Sequence, residues 1–271
     1  MQKKIRLGIT DLSFHRVTGS LITQVLISMG FEVERIYSHH EENFKKLNTN
    51  AIDLLTSAWL PSSHGLYKEE VERSVPLLEL GLHYKPYALW GVPDYIPMDE
   101  VRQVADLLKP TIVQKMRSHI QGINPGAGIT RFSIKMMEAY GLAEAGYTFS
   151  PGTEEACFTT FENAYAKEEW IVVPLWKPQF LHHRYTIREL IEPKKLLGSV
   201  DRAVLLMRED KANLFSATEL QRLDSLRFSN EIIAQLDYAV SRENKPIDEV
   251  TNYWLANKAL HDKFTLLPEI R

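Results

Sequence analysis

Apolar residues along the chain follow two patterns: short runs typical of strands, and longer stretches in which they recur at helical spacing. The first run predicts a strand, and the stretch after it predicts a helix that ends at Gly30. Further runs separated by helical stretches are typical of a parallel sheet with helices on both faces. The strands predicted in this first series are 4–10, 31–37 and 51–58.

A second series begins after the apolar run at 86–93. Pro93 and Pro97 predict an extended segment there, which suits a crossover between two lobes. The elements predicted next are strands 118–123, 146–150 and 170–175 and helices 131–140 and 154–165. A last strand at 200–207 returns the chain to the first series. We therefore expect two α/β lobes, one of residues 1–93 with 198–271 and one of residues 94–197.

After this last strand the pattern is helical only. The starts of three helices are marked by a Ser216–Glu219 capping box, by Ser229 and by Pro246. A ligand site is expected in the cleft between the two lobes, because the carboxyl ends of parallel strands open there.

Composition and charge exclude several classes of protein. The chain has 271 residues and a mass of 31.2 kDa, with 44% hydrophobic and 25% charged residues, which are ordinary values for a globular protein. A net charge of −3 provides no basic excess for neutralising phosphates, so nucleic acid is not an expected partner. No run of 18 apolar residues occurs, and 5–10 is too short for the core of a signal peptide. We therefore expect a soluble chain without direct membrane insertion.

Signals for covalent chemistry or a cofactor are few. The single cysteine, Cys157, excludes an internal disulfide and a multi-cysteine metal site. The adjacent pairs His39–His40 and His182–His183 are interpreted as solvated surface rather than metal ligands, because neighbouring side chains diverge. Glu154 and Glu155 begin a predicted helix, where acidic residues complement the helix dipole. We expect no catalytic residue, no metal and no cofactor.

Two features favour a binding site. The segment 125–129 follows a strand and opens a helix, so its backbone N–H groups can hold an anion, although a tight strand-to-helix turn is the alternative interpretation. Trp59 and Trp176 each stand at the exit of a predicted strand, one in each series. Two facing indoles would form a cation–π cage for a quaternary ammonium, whereas the alternative is that both pack in the core. Trp90 and Trp254 are interpreted as packing residues.

Three motifs occur along the chain in this order: Asp53-Leu-Leu-Thr-Ser-Ala-Trp59-Leu-Pro-Ser-Ser-His64, Gly122-Ile-Asn-Pro-Gly-Ala-Gly-Ile129 and Ile171-Val-Val-Pro-Leu-Trp176-Lys-Pro-Gln-Phe180. Together they resemble the substrate-binding proteins of glycine betaine/choline ABC importers. The resemblance runs over nearly the whole chain. It implies a two-lobed type II periplasmic-binding-protein fold, an extracytoplasmic location, an ABC permease as partner, and a monomer.

The resemblance also assigns roles to residues. Trp59 and Trp176 match two tryptophans of the cage, and the amides of Gly128 and Ile129 match those that hold the ligand carboxylate. His64 matches a histidine that helps to hold the same carboxylate in some members. Tyr95 matches a position that is aromatic in choline-binding relatives.

This sequence departs from the family pattern in two places. Leu12 stands where members usually have a further cage tryptophan, with Phe14 nearby, and Gln179-Phe180 replaces the usual His-Trp. We expect Phe14, Tyr95 or Trp90 to supply the missing ring, or else a ligand other than glycine betaine. Because one cation–π contact is worth about 0.5–2 kcal/mol, a cage lacking one ring would bind a quaternary ammonium several-fold more weakly.

The function expected is that of the solute-binding component of an ABC importer for a quaternary-ammonium or zwitterionic compatible solute. One alternative keeps the fold but makes the chain a cytoplasmic sensor or carrier of a related metabolite. The other alternative is an enzyme on a similar scaffold, with Glu154 or Glu155 and a cleft histidine as acid and base.

Overall fold

The computed structural model describes residues 3–257, and within them the chain divides into two units. The first unit consists of 3–85, 178–183 and 202–257, and the second of 86–177 and 184–201. The lobe boundaries expected from the sequence, after 93 and after 197, stay a prediction. Residues 1–2 and 258–271 of the expected first lobe lie outside the described residues.

Strands and helices alternate through most of the described chain. The strands are β1 (Lys4–Thr10), β2 (Glu32–Ser38), β3 (Leu54–Leu60), β4 (Leu77–Tyr84), β5 (Tyr87–Pro93), β6 (His119–Gln121), β7 (Thr148–Ser150), β8 (Val173–Lys177), β9 (Ile187–Glu189) and β10 (Arg202–Arg208). The helices are α1 (Ser13–Ser28), α2 (His40–Asn48), α3 (Gly65–Glu72), α4 (Pro110–Lys115), α5 (Gly128–Tyr140), α6 (Glu154–Ala166), α7 (Leu181–Arg184), α8 (Ala217–Asp224), α9 (Asn230–Ser241) and α10 (Ile247–Ala256). Two 3₁₀ segments, Val104–Leu108 and Glu209–Leu214, complete the set.

The sheet of the first unit has the order β2-β1-β3-β10-β4. Strand β1 runs parallel to β2 and β3, whereas β10 is antiparallel to both β3 and β4. The register pairs Thr10 with Ser38, so β1 and β2 end level. The carboxyl ends of β1, β2, β3 and β4 consequently lie along one edge of this sheet, and the segments after them are placed side by side.

Both faces of this sheet are covered, as the buried strands predicted. Alternate residues of β10 belong to different cores: Leu205 and Met207 pack on one face, and Val204 and Leu206 on the other. All seven residues of β3 are buried, which is the pattern of a central strand in a two-faced sheet. Helix α1 ends where expected: Gly30 has a φ of +90°, and the N–H of Phe31 donates to the carbonyl of Leu26.

The second unit contains antiparallel pairs that the sequence analysis did not predict. Strand β5 lies antiparallel between β8 and β9, and a separate pair, β6 with β7, is parallel. Trp90 of β5 is fully buried, and its indole N–H donates to the hydroxyl of Ser133 on α5 at 2.8 Å. This bond attaches α5 to the sheet and confirms that Trp90 is a packing residue.

A buried carboxyl group joins three parts of the first unit. Asp237 of α9 is inaccessible to solvent, and it accepts hydrogen bonds from the hydroxyls of Ser13 at 3.0 Å and Ser241 at 2.9 Å and from the backbone of Phe180. Burial raises the pKa of Asp237 from 3.8 to about 7, against the opposing effect of these donors. The group is therefore neutral in the folded protein over a pH range in which it ionises in the unfolded chain.

The difference between the folded and unfolded pKa values of Asp237 makes the stability of the protein depend on pH. Because the folded pKa is raised, the stabilisation from Asp237 is complete below about pH 4 and is lost as the pH rises to about 7. The side chain of the variant Asp237→Asn cannot ionise. The free energy of unfolding of the variant, relative to that of the wild type, should therefore increase between pH 4 and 7, by up to about 1.4 kcal/mol per pH unit. Urea denaturation at a series of pH values measures this difference, and parallel pH profiles for the two proteins would contradict the assignment.

Candidate ligand-binding site

Aromatic and imidazole rings collect at the carboxyl edge of the first unit's sheet. Phe14 and His15 lie in the first turn of α1, directly after β1, and Trp59 lies at the end of β3. The other members, His40, His64 and Tyr84, follow or end the neighbouring strands. We call these six residues the ring cluster: Phe14, His15, His40, Trp59, His64 and Tyr84. Their proximity follows from the parallel strands, whose carboxyl ends share one edge.

Trp59 is the centre of the ring cluster and is 6% exposed. The centroid of its ring lies 5.3 Å from that of Phe14, 5.5 Å from that of His15 and 6.3 Å from that of His64. Its indole N–H faces the hydroxyls of Ser57 at 3.2 Å and Tyr84 at 3.3 Å. These contacts fix the orientation of the indole before any ligand arrives.

The backbone at Ser57 explains how the indole is placed. Ser57 has a φ of +57°, an uncommon conformation for a residue other than glycine. The pairing of β3 with β10 shifts at the same point, as in a β-bulge. Bulges redirect side chains at sheet edges and next to functional sites. The hydroxyl of Ser57 then forms a hydrogen bond with the Tyr84 hydroxyl, which also faces Trp59.

His64 is held against Trp59 by two hydrogen bonds. Its Nδ1 accepts from the backbone N–H of Trp59 at 2.9 Å, and its own backbone N–H donates to the Trp59 carbonyl at 2.9 Å. A neutral imidazole whose Nδ1 accepts carries its proton on Nε2. The turn from Trp59 to His64 therefore brings together an indole ring and an imidazole N–H donor.

Three imidazoles of the ring cluster, those of His15, His40 and His64, are buried together. The ring centroids are 5.8 Å apart for His15 and His40, and 4.9 Å apart for His40 and His64. Burial, and secondarily the charge of His40, lowers the pKa of His15 far below its usual value, so this ring stays neutral. Among residues 3–257, no group of three or more His, Cys, Asp or Glu residues is arranged to hold a metal ion.

The surface interpretation of the first histidine pair is wrong for one member. His39 is exposed, but His40 begins α2 and is only 4% exposed. Its burial follows from the position of β2 in the sheet, which places the start of α2 beside the ends of β1 and β3. In the second pair His183 is exposed, and its ring lies 5.1 Å from that of Tyr238.

Of the three rings expected to replace the missing tryptophan, Phe14 is the one beside Trp59 within the first unit. Leu12 itself is buried and immediately precedes α1. Trp90 and Tyr95 belong to the second unit. The hydroxyl of Tyr95 donates to the carbonyl of Glu169 at 2.6 Å, and burial, with Tyr165 and Glu168 nearby, raises its pKa to about 12.

In the second unit, Trp176 lies on β8 opposite Ala88 of β5 and is 2% exposed. Its ring centroid is 5.9 Å from that of Phe158 on α6. Trp59 and Trp176 thus each stand at a strand end in a different unit, as expected. That the two indoles face one another stays a prediction.

Gly128 and Ile129 are the first two residues of α5. Backbone N–H groups at these positions have no acceptor within their own helix, and the dipole of a 13-residue helix favours an anion there. The preceding turn is fixed by side chains: the Thr130 hydroxyl donates to the carbonyl of Ile123 at 3.1 Å, and Arg131 donates to that of Gly126 at 2.6 Å.

Candidate groups for catalysis have structural roles. Glu154 and Glu155 lie in the first turn of α6, after a Thr153 cap that accepts from the Ala156 N–H at 3.0 Å. Cys157 is buried, and burial raises the pKa of its thiol, which suppresses the reactive thiolate.

The fold is shared with solved substrate-binding proteins of ABC transporters. The lactococcal OpuAC in its closed-liganded conformation, complexed with glycine betaine, is 22% identical, with a TM-score of 0.82 over 97% of this chain and 99% of that one. The glycine betaine/L-proline-binding protein ProX of Borrelia burgdorferi is 23% identical, with a TM-score of 0.82 over 98% and 97%. A choline-binding protein in complex with choline is 14% identical, with a TM-score of 0.81 over 96% and 90%. The predicted two-lobed α/β fold class is confirmed.

The model of one family, the substrate-binding domain of ABC-type glycine betaine transport systems, matches residues 3–257, and the chain belongs to this family. Its class is therefore that of ABC-transporter substrate-binding domains. A curated relative, the glycine betaine/carnitine transport binding protein GbuC of Listeria monocytogenes, is 23% identical over 153 residues, 55% of this chain and 49% of that protein. The chain spans about half the length of this relative. The family consists of binding domains rather than enzymes, so the enzyme alternative is set aside.

Sequence reasoning missed several members of the ring cluster. His15 and Tyr84 were not singled out, His40 was interpreted as surface, and Ser57 was not recognised as the residue that orients Trp59. The signal that could have found His15 and His40 is position, since both follow predicted strands of a parallel sheet. In residues 3–257, no helix combines the length and the hydropathy needed to cross a bilayer.

Proposed function

We propose that this chain binds a small zwitterion with a methylated cationic nitrogen and a carboxylate, of the glycine betaine type, and delivers it to an ABC permease. The observation that carries the proposal is the turn from Trp59 to His64. This turn presents an aromatic face, which attracts a cation, beside an Nε2–H donor, which suits a carboxylate. One ligand carrying both charges matches both groups.

The anion has a second candidate partner in the other unit. The amides of Gly128 and Ile129 begin α5, and their chemistry suits a carboxylate. Trp176 is proposed as a further ring for the cation, together with Trp59. Phe14, which already lies against Trp59, is proposed to take the place of the ring absent at Leu12. Tyr95, whose hydroxyl is engaged by Glu169, is proposed only to border the site.

The partner proposed is the permease of an ABC importer, and the chain is proposed to act as a monomer outside the cytoplasm, next to the membrane that holds this permease. Membership of a family of transport binding domains supports this assignment. The relatives named for glycine betaine, carnitine and choline support a ligand with a methylated ammonium.

The first test compares ligands that differ in one group. By calorimetric titration, glycine betaine should bind more tightly than choline, because only glycine betaine has a carboxylate for His64 and the amides of α5.

In a thermal-shift panel that adds carnitine, dimethylglycine, ectoine and proline, a ligand at 100 times its Kd should stabilise the fold by about 2.7 kcal/mol. Trp59→Ala should weaken binding about two- to thirtyfold, the loss of one cation–π contact.

Two variants make this test specific. In His64→Asn, the amide oxygen can replace Nδ1 as acceptor for the Trp59 N–H, but the Nε2–H donor is lost. The affinity for glycine betaine should therefore fall, while the affinity for choline should not. Trp90→Phe, which removes the indole bond to Ser133, should lower thermal stability and leave the ligand preference unchanged. Equal affinity for choline and glycine betaine in the wild type would refute the carboxylate role.

A second prediction concerns the missing tryptophan. Because Phe14 and His15 already lie within 5.5 Å of the Trp59 ring, measured between centroids, the wall beside Trp59 is occupied. Leu12→Trp adds a large side chain at a buried position, and overpacking of this kind costs about 1–3 kcal/mol. We expect this variant to bind glycine betaine more weakly than the wild type, whereas tighter binding in the same titration would indicate a gap in the cage.

A further inference from the structure

The carboxyl group of Asp237 contacts two segments that adjoin proposed ligand residues. Ser13, which donates its hydroxyl at 3.0 Å, immediately precedes Phe14 and His15 of the ring cluster. Phe180, whose backbone donates to the same carboxyl group, lies four residues after Trp176. Asp237 itself is on α9, outside every motif that the sequence analysis connected with the ligand.

Other contacts of α9 strengthen the hold on residues 178–183. The guanidinium of Arg242 lies 4.3 Å from the centroid of the Phe180 ring, and the ring of Tyr238 lies 5.1 Å from that of His183. This segment carries the chain out of the second unit, in which Trp176 lies, and back into it. Residues 237–242, at the end of α9, thus contact this segment at three points, through Asp237, Tyr238 and Arg242.

We propose that Asp237 is a positioning residue for ligand binding, whose carboxyl group holds the start of α1 and the segment 178–183 in their binding-competent places. The inference about affinity rests on the proposed function. The inference about position rests on the contacts alone.

The chemistry of the carboxyl group supports this role over simple packing. A fully buried carboxyl group is costly, and an apolar side chain of similar size would fill the same space without that cost. Three donors converge on it, and one of them, the Phe180 N–H, belongs to a segment with no regular pairing to the sheet. The groups facing it are Ser13 from α1, Ser241 and Arg242 from the end of α9, Phe180 from 178–183 and, by its charge, Tyr84 from β4.

The chain offers a matched pair of control variants. Ser13 and Ser241 donate the same kind of bond to the same carboxyl group, at 3.0 and 2.9 Å. Ser13 immediately precedes Phe14 of the ring cluster, whereas Ser241 lies one turn after Asp237, at the end of α9. Ser13→Ala and Ser241→Ala therefore each remove one hydroxyl donor from Asp237, but only Ser13 adjoins the ring cluster.

The experiment measures amide hydrogen exchange and ligand affinity in the full chain. In Asp237→Ala we expect exchange in 178–183 to become about tenfold faster or more, with a smaller increase at the start of α1 and no change in β1. Asp237→Asn, which keeps an acceptor oxygen, should retain most of the protection. If Asp237→Ala does not fold, Ser13→Ala and Ser241→Ala, which each remove one donor to the carboxyl group, serve as the test variants. The Kd for glycine betaine should rise about tenfold in Asp237→Ala. Of the two serine variants, Ser13→Ala should raise this Kd more than Ser241→Ala does.

The positioning role would be overturned by unchanged exchange in 178–183, by a uniform rise in exchange across the first unit, or by equal losses of affinity in the two serine variants. Faster exchange in 178–183 without weaker binding would also overturn it. A wild-type chain that binds neither glycine betaine nor any other member of the panel would refute the proposed function instead, and the exchange arm would still decide whether Asp237 positions the two segments.

Discussion

The hydrogen bond from the backbone N–H of Trp59 to Nδ1 of His64 is the interaction on which the proposed site depends. It closes the turn after β3, sets the direction in which the imidazole points, and determines which of its nitrogens carries the proton. Without it, the backbone bond from His64 to the Trp59 carbonyl would still close the turn, but the imidazole would lose the bond that orients it. With it, the proposed surface for the cation and the proposed donor for the anion lie in one short segment.

The surroundings of this turn are built to keep it rigid. Ser57 adopts a left-handed backbone conformation, which costs on the order of 1–3 kcal/mol and persists only where neighbouring structure enforces it. In return its hydroxyl, with that of Tyr84, faces the Trp59 indole N–H. Burial raises the pKa of Tyr84, so its phenol stays protonated. A preorganised indole loses little conformational freedom when a ligand binds.

The sequence allowed much of the fold to be predicted, because its buried strands and helix caps are local signals. The strand at 4–10, the helix ending at Gly30 and the capping box at Ser216 agree with the structure. Strand β4 was missed because its residues are mostly half-buried, which gives no clear alternation. The antiparallel pairs of β5 were missed because strand direction depends on contacts distant in sequence.

The candidate site was predictable only where a motif marked it. Trp59, Trp176, Gly128 and Ile129 lie at strand ends or a helix start, which local patterns reveal. His15, His40 and Tyr84 join the ring cluster only through sheet order, and the burial of His40 overrode the expectation from its polar neighbours. The role of Asp237 depends on a contact between residues more than 200 positions apart, and no periodicity encodes such a contact.

The most direct test of the account is a crystal structure of the chain with glycine betaine bound. The account predicts the ammonium over the Trp59 indole, within about 6 Å of the ring centroid, and a carboxylate oxygen within hydrogen-bond distance of His64 Nε2. A bound ligand whose cation lies away from Trp59, or whose carboxylate is held without His64, would contradict it.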